Sequence, residues 1–237
     1  MGLDERDTLP ATTAEALALV SAMPGDLRDK LVAYRAHSAR LHPAIAAAYD
    51  RLVAHLASIY TGKVGPAIGE AMPDFLLSNQ NGELVSLESF LENGPLVISL
   101  NRGHWCPYCK LDLRALAAIT PEIRRLGADI VSIMPEKASF TKQAIASGAL
   151  PFAILSDVDL GYALSLGLVY WIGDDVKQLY DQLGIDLETF QGHPGLFLPM
   201  AAKFIVGRDG IVKARQIDID YRQRMEPPAI LEALAKL

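Results

Sequence analysis

The stretch Pro95-Leu96-Val97-Ile98-Ser99-Leu100-Asn101-Arg102-Gly103-His104-Trp105-Cys106-Pro107-Tyr108-Cys109-Lys110 decides the fold. Its apolar opening reads as a strand, its polar middle as a short loop, and Cys-x-x-Cys as the start of a helix, which is the arrangement of a thiol redox site. Leu113, Leu116 and Ala117 follow in line with Cys109 at helical spacing, placing both cysteines in the first turn of an amphipathic helix. Residues i and i+3 there have Cβ atoms roughly 5–6 Å apart, so a small adjustment closes a disulfide. The helix start also supplies unpaired N–H groups and the positive end of the dipole. In such motifs the pKa of one thiol falls to roughly 3.5–7.5, from about 8.5 for free cysteine. Pro107 suits the first turn because the N–H it lacks has no partner there. Trp105 is placed to cover one sulfur and leave the other open, while Arg102 and His104 add positive potential to the loop.

Other uses of the pair are weaker. A structural bridge between i and i+3 closes so small a loop that it constrains the unfolded chain little. A structural zinc site wants four ligands, and these two are the only cysteines in the chain. Two inert core cysteines are the remaining alternative.

Outward from this centre, Asp74–Leu77 and Glu83–Leu87 flank Gln80-Asn81-Gly82, a hairpin signal, with a short helix over Ser86–Leu91. After the cysteine helix, which runs to about Ile119, come a second helical piece from Pro121 to Leu126 and a strand over Ala128–Met134. Strand, helix, strand makes a βαβ unit, so the two strands should be parallel neighbours. A helix over Phe140–Ala146, a strand over Phe152–Leu155 and a helix over Leu160–Leu166 capped by Asp157 follow. Gly167–Pro199 is the least readable stretch of the chain. Lys203–Val206 and Ile211–Ile217 form a hairpin around Gly207-Arg208-Asp209-Gly210, and Pro227-Pro228 opens a terminal helix. The expected class is α/β: a thioredoxin-like fold with a mixed central sheet flanked by helices over 63–237, the redox motif lying at the C-terminal edge of a strand.

Residues 1–62 read as an N-terminal helical extension. Thr12-x-x-Glu15 is a capping-box pattern, Pro24-Gly25 breaks the first helix, and Leu27, Leu31 and Tyr34 mark one face of the second. From Pro43, the residues Ile45, Tyr49, Leu52, Val53, Leu56, Ile59 and Tyr60 form an apolar stripe that must be covered, by intramolecular packing in preference to a homodimer interface.

The chain of 237 residues is 51% hydrophobic with mean hydropathy +0.20, ample for a packed core. A net charge of −6 argues against a nucleic-acid surface, and the basic stretch Arg222–Arg224 is too short to reverse this. No window is apolar enough to span a membrane, and Asp4, Glu5 and Asp7 replace the basic start of a secretory signal. A cytoplasmic location is the expectation. His37, His42, His55 and His193 are scattered, Asp218 and Asp220 read as a strand end, and no phosphate-cradling glycine loop is present, so neither a metal nor an organic cofactor is expected.

The run Arg102–Cys109, the lead-in from Gly65 to Phe75 and the Arg208-Asp209-Gly210 turn resemble the peroxiredoxin-like branch of the alkyl hydroperoxide reductase and thiol-specific antioxidant family. The resemblance implies a thioredoxin fold and thiol peroxidase activity, with Cys109 in the peroxidatic position and an external dithiol reductant such as a thioredoxin or glutathione system. The sequence departs from the family's Pro-x3-Thr-x2-Cys, holding Arg102 and Cys106 at the proline and threonine positions, and Ala201 where an arginine or cis-proline is expected. Cys-Pro-Tyr-Cys itself resembles glutaredoxin, and Trp105-Cys106 resembles thioredoxin, where the first cysteine attacks. Three readings therefore stand: a peroxidase working through Cys106 and Cys109, a thiol-disulfide oxidoreductase acting on disulfides, and a non-catalytic scaffold on the same fold.

Overall fold

The computed structural model describes residues 9–59 and 64–237. Three helices come first: α1 (Thr13–Ala22), α2 (Leu27–Leu41) and α3 (Pro43–Ile59). Thr12 and Glu15 close the reciprocal capping box that their spacing signals, and Asp26 caps α2 by accepting the Asp29 N–H. The hairpin of β1 (Leu76–Asn79) and β2 (Leu84–Ser86) then leads into the short α4 (Leu87–Leu91). The βαβ unit is β3 (Leu96–Leu100), α5 (Pro107–Arg125) and β4 (Asp129–Met134), with Leu96 opposite Asp129 and Leu100 opposite Ile133 in parallel register. After it run α6 (Ala138–Gly148), β5 (Ala153–Ser156), α7 (Gly161–Ser165), β6 (Val169–Trp171), α8 (Gly173–Gln182), α9 (Leu187–Gln191) and β7 (Phe197–Pro199). The hairpin of β8 (Ala202–Val206) and β9 (Val212–Ile217) and helix α10 (Pro227–Leu234) complete the chain. Among the described residues the main sheet has the order β2-β1-β5-β4-β3-β8-β9, parallel through β5, β4 and β3 and antiparallel elsewhere.

Strand β3 lies inside the sheet between β4 and β8 and is buried along its whole length, because helices cover both faces of the sheet. Its side chains alternate between two cores: Val97 joins Leu116, Ile123, Ile230 and Leu234, whereas Leu96, Ile98 and Leu100 join the core that contains both cysteines. That second core also takes Val20 of α1, Leu27, Leu31 and Tyr34 of α2, and Tyr49 and Leu56 of α3. Ile45, Tyr49, Leu52 and Leu56 of the α3 stripe are thus covered within the chain, in part by α8, while Val53 is half-buried outside that core and Ile59 is exposed; Tyr60 and the boundary at 62 lie outside the described residues.

At about 1.5–3 kcal/mol for each fully buried large side chain, these six residues contribute on the order of 10 kcal/mol, as much as the net stability of an average domain. Deleting residues 1–62 is therefore expected to leave a protein that aggregates or loses its cooperative melt. A truncated chain that stays monomeric by light scattering, with an unshifted melting temperature, would show the helices to be dispensable.

Three local readings need correction. The cysteine helix does not stop before Pro121 but runs unbroken from Pro107 to Arg125. Leu116 and Thr120 before the proline and Ile123 after it are all buried, so packing keeps both halves in line despite the hydrogen bond Pro121 cannot donate. Asp157 caps α7 from five residues upstream of Tyr162, its carboxylate accepting the N–H groups of Tyr162 and Ala163 at 3.0 and 2.9 Å, while Leu160 occupies the N-cap position with φ +60°. The least readable segment contains two helices and the β6–β7 ribbon, and α8 does carry Val176, Leu179 and Tyr180 at helical spacing on its buried face, a period the sequence reading passed over. Among the described residues, no helix is long and apolar enough to cross a membrane.

Candidate active site

The site is built where β3 ends. The Asn101 amide donates to the Ser99 and Ser132 hydroxyls at 2.9 and 3.1 Å, fastening the turn to β3 and β4. Gly103 has φ +146°, and a Cβ there would lie 2.5 Å from Trp105 Nε1 and 2.7 Å from Glu136 Oε1, so the loop passes only with glycine. The backbone N–H and Nδ1 of His104 lie 2.8 and 2.7 Å from the buried Glu136 carboxylate, and its ring stacks on Phe140. That carboxylate offsets any charge the imidazole takes up, so His104 anchors the loop and adds no net positive potential.

Arg102 does supply charge. Its side chain is 1% exposed, and Nη2 donates to the Tyr49 hydroxyl at 2.5 Å and to the Tyr180 hydroxyl. The guanidinium carbon lies 3.9 Å from the centre of the Tyr221 ring and 5.1 Å from those of Tyr49 and Trp105. Among the described residues no carboxylate pairs with Arg102, and its Nε has no partner. Aromatic faces partly compensate a desolvated cation, but an anion compensates it better.

Two thiols are at hand. Cys106 is the N-cap residue of α5 and Cys109 lies one turn along; both are free and buried. Cys106 forms part of the wall of a cavity of about 390 Å³ together with Tyr34, Tyr49, Trp105, Tyr108, Tyr180 and Tyr221; Cys109 does not line it. Burial raises the Cys106 pKa, but the Cys109 thiol hydrogen-bonded to it and the charges of Arg102 and Arg224 outweigh burial and bring it down to about 6. Cys109 moves the other way, held far above its ordinary value by burial and by the proton it shares with Cys106. Yet the donors that touch a sulfur touch the inner one: the backbone N–H of Arg102 lies 3.4 Å and Arg224 Nη2 3.6 Å from Cys109 Sγ. Both facts fit one negative charge shared by the pair, resting on Cys106 with the Cys109 thiol donating, and able to move to Cys109 when Cys106 is engaged.

Arg224 is held in turn by buried charges. Its Nε lies 3.6 Å from Asp112 Oδ2, and Lys203 Nζ donates to Asp112 Oδ1 at 2.6 Å. Tyr108 meets Tyr34 and Tyr221 edge-on, with ring centres 5.1 and 5.3 Å apart, and Pro107 occupies the first position of α5. Trp105 stands against Tyr180 and the Arg102 guanidinium. The scattered histidines do not gather: His42 pairs with Thr13 at the cavity wall, and His193 lies against the Val158 carbonyl.

Sequence reasoning gathers Arg102, Trp105, Cys106, Pro107, Tyr108 and Cys109, which are contiguous, and misses Tyr49, Tyr180, Tyr221, Arg224, Asp112 and Lys203. Signals existed for two of these. Asp112 stands three residues after Cys109, on the buried side of an amphipathic helix, and Lys203 interrupts the apolar run Ala201–Val206.

The chain resembles known proteins in sequence and in fold. Peroxiredoxin Q of Populus jackii, a chloroplastic protein, is 30% identical over 169 residues, covering 71% of this chain and 66% of its own. Chloroplastic peroxiredoxin Q of Oryza sativa subsp. japonica is 31% identical over 99 residues; these are 42% of this chain and 44% of the rice protein, so the chain matches under half of that relative's length. Among solved structures, peroxidoxin BcpB from Mycobacterium tuberculosis superposes with TM-score 0.57 at 18% identity, over 73% of this chain and 98% of its own. Peroxiredoxin 6 of Arenicola marina gives 0.56 at 17%, over 72% and 73%; both show a shared fold. The AhpC/TSA family profile matches residues 68–215, a segment that holds both thiols and Arg102 but neither Tyr49 nor Arg224. With that match running over more than half of the chain, the protein belongs to the AhpC/TSA family.

Proposed function

We propose that the protein is a thiol-dependent peroxidase that reduces organic hydroperoxides and hydrogen peroxide through Cys106 and Cys109. The observation that carries this reading is the placement of a low-pKa thiol, Cys106, in the wall of an aromatic cavity beside a buried arginine that lacks an anionic partner. The cavity is of the size that ordinary organic ligands fill, which suits a hydroperoxide carrying an apolar body.

The thiolate of Cys106 attacks the terminal oxygen of R–O–O–H. The O–O bond breaks, Cys106 becomes a sulfenic acid, and RO⁻ departs with the electron pair. A donor must meet that oxyanion. Burial holds the Tyr49 phenol far above its ordinary pKa, so it stays protonated; since its oxygen accepts from Arg102, its own proton is free to point into the cavity. Cys109 then attacks the sulfenic sulfur, its thiol proton leaves with the hydroxyl as water, and an external dithiol reopens the Cys106–Cys109 disulfide. The family resemblance places Cys109 at the peroxidatic position; the cavity and the pKa of Cys106 support the opposite order in this chain, which the proposal adopts.

The same cavity-lining, acidic first cysteine favours a second reading, exchange with disulfides, because that is the cysteine a thioredoxin-type enzyme would use. One experiment separates the two. Reduced protein is mixed with cumene hydroperoxide, hydrogen peroxide or glutathione disulfide, and closure of the pair is followed by mass. The peroxidase reading expects hydroperoxides to close the pair at least tenfold faster than the disulfide does. Hydroperoxides reacting no faster than with free cysteine would overturn it.

A further inference from the structure

We propose that the buried chain Lys203–Asp112–Arg224 receives Cys109 as the leaving thiolate when the Cys106–Cys109 disulfide is reduced. This rests on the reading above that the pair cycles through an internal disulfide. In recycling, the sulfur that forms part of the cavity wall is Cys106, so a reductant thiolate attacks there. Its electron pair makes a new S–S bond to Cys106, the old bond breaks, and its pair departs onto Cys109. The second thiol of the reductant then displaces Cys106, and Cys109 regains a proton from the medium. The rate of the first step depends on how readily the leaving sulfur carries charge.

Cys109 has no exposed surface, so water cannot stabilise that charge. The protein has to do it. Two donors already aim at Sγ: the backbone N–H of Arg102 at 3.4 Å and Arg224 Nη2 at 3.6 Å. Asp112 and Arg224 alone would be a neutral pair, of little use to an anion. Lys203, 2.6 Å from the same carboxylate and 3% exposed, changes the ion-paired group to two cations against one carboxylate, while Asp218 and Glu226 face Arg224 and Lys203 from further off without forming ion pairs with them. A buried triad of this kind carries a large desolvation cost and is poor evidence of a stabilising role, which directs attention to its chemistry. The Arg224 guanidinium is also pinned from its other side, donating to the Gln223 carbonyl at 3.0 Å and to the Tyr221 carbonyl. Arg224 is thus a catalytic residue of the reducing half, and Asp112 and Lys203 are positioning residues that act through it. Arg102, which touches the cavity, serves the oxidising half.

The test reads the two halves separately. The pair in the full-length protein is closed with diamide, so reduction can be measured even if the peroxidase reading fails, and reopening by excess dithiothreitol is followed by rapid alkylation and mass. Oxidation of reduced protein by cumene hydroperoxide is measured in parallel. For Arg224→Gln and Asp112→Asn, the loss in the rate of reduction should exceed any loss in the rate of oxidation by tenfold or more. Arg224→Lys, which keeps the charge, should recover most of the loss and guards against a folding defect in the other two. Equal slowing of both halves, or reduction at the wild-type rate in Arg224→Gln, overturns the assignment. Wild-type protein that ignores hydroperoxide but shows the reduction defect on substitution would sink the peroxidase reading alone.

Discussion

Cys106→Ser protein is expected to consume cumene hydroperoxide at the background rate of buffer, whereas Cys109→Ser protein should react once and stop with a sulfenic acid at Cys106. The asymmetry follows from position. Cys106 forms part of the cavity wall and has its pKa brought down to about 6, so at neutral pH it is largely thiolate; Cys109 lies off the cavity with its thiol held neutral. Losing the nucleophile removes the reaction, and losing the resolving thiol removes only the second step. Stopped-flow consumption with a dimedone-type probe and mass mapping reads both variants. Labelling confined to Cys109 in the Cys106→Ser protein, at the wild-type rate of oxidation, would restore the order that the family resemblance implies.

How far the sequence reveals this site depends on what brings its parts together. The strand, loop and helix around Cys106 are local, so apolar run, Cys-x-x-Cys and proline together specify them, and the parallel pairing of β3 with β4 follows from the helix between. The cover of the site is not local. Tyr49 reads as one member of the apolar stripe on α3, and only tertiary packing turns its hydroxyl onto Arg102, 53 residues away in sequence. Tyr180 lies with Val176 and Leu179 on the apolar face of α8, and that spacing announces burial but not that its hydroxyl meets Arg102. Arg222 and Arg224 read as a small basic patch, yet both are buried, Arg222 paired with Asp50 and Asp220 and Arg224 with Asp112. Charge within a sequence reports solvation only when the fold leaves it at the surface. The N-terminal helices illustrate the same point at larger scale: their apolar faces announce burial, but not that Tyr34 and Tyr49 would become walls of the cavity beside the thiol.

Arg102→Met should shift the pH at which Cys106 becomes reactive upward by about two units, since an adjacent cation typically lowers the pKa of an acidic group by about 1–3 units. The sign follows from the charge: the guanidinium favours thiolate over thiol, so its loss favours the thiol and the midpoint rises from about 6. Between the two midpoints the wild-type sulfur is ionised and the variant's is not. Two units correspond to about 2.7 kcal/mol, or roughly a hundredfold fall in thiolate at pH values below both midpoints. At pH 9 and above, where both are ionised, the difference should shrink to whatever Arg102 contributes through Tyr49 to the departing oxygen. That residue of the effect separates two jobs one arginine performs: holding the nucleophile's charge, and orienting a phenol toward the leaving group. Methionine fills much of the space among Tyr49, Trp105 and Tyr221, and Arg102→Lys restores the charge without the fork that reaches Tyr49 and Tyr180. The lysine variant should therefore recover the wild-type midpoint while keeping a reduced rate at high pH. Alkylation of Cys106 by iodoacetamide from pH 4 to 10, mapped by mass and set beside peroxide oxidation at each pH, gives both quantities. A methionine variant whose alkylation midpoint stays near that of the wild type would show that Arg102 does not set the charge of the site, leaving the Cys109 hydrogen bonds and Arg224 to do so.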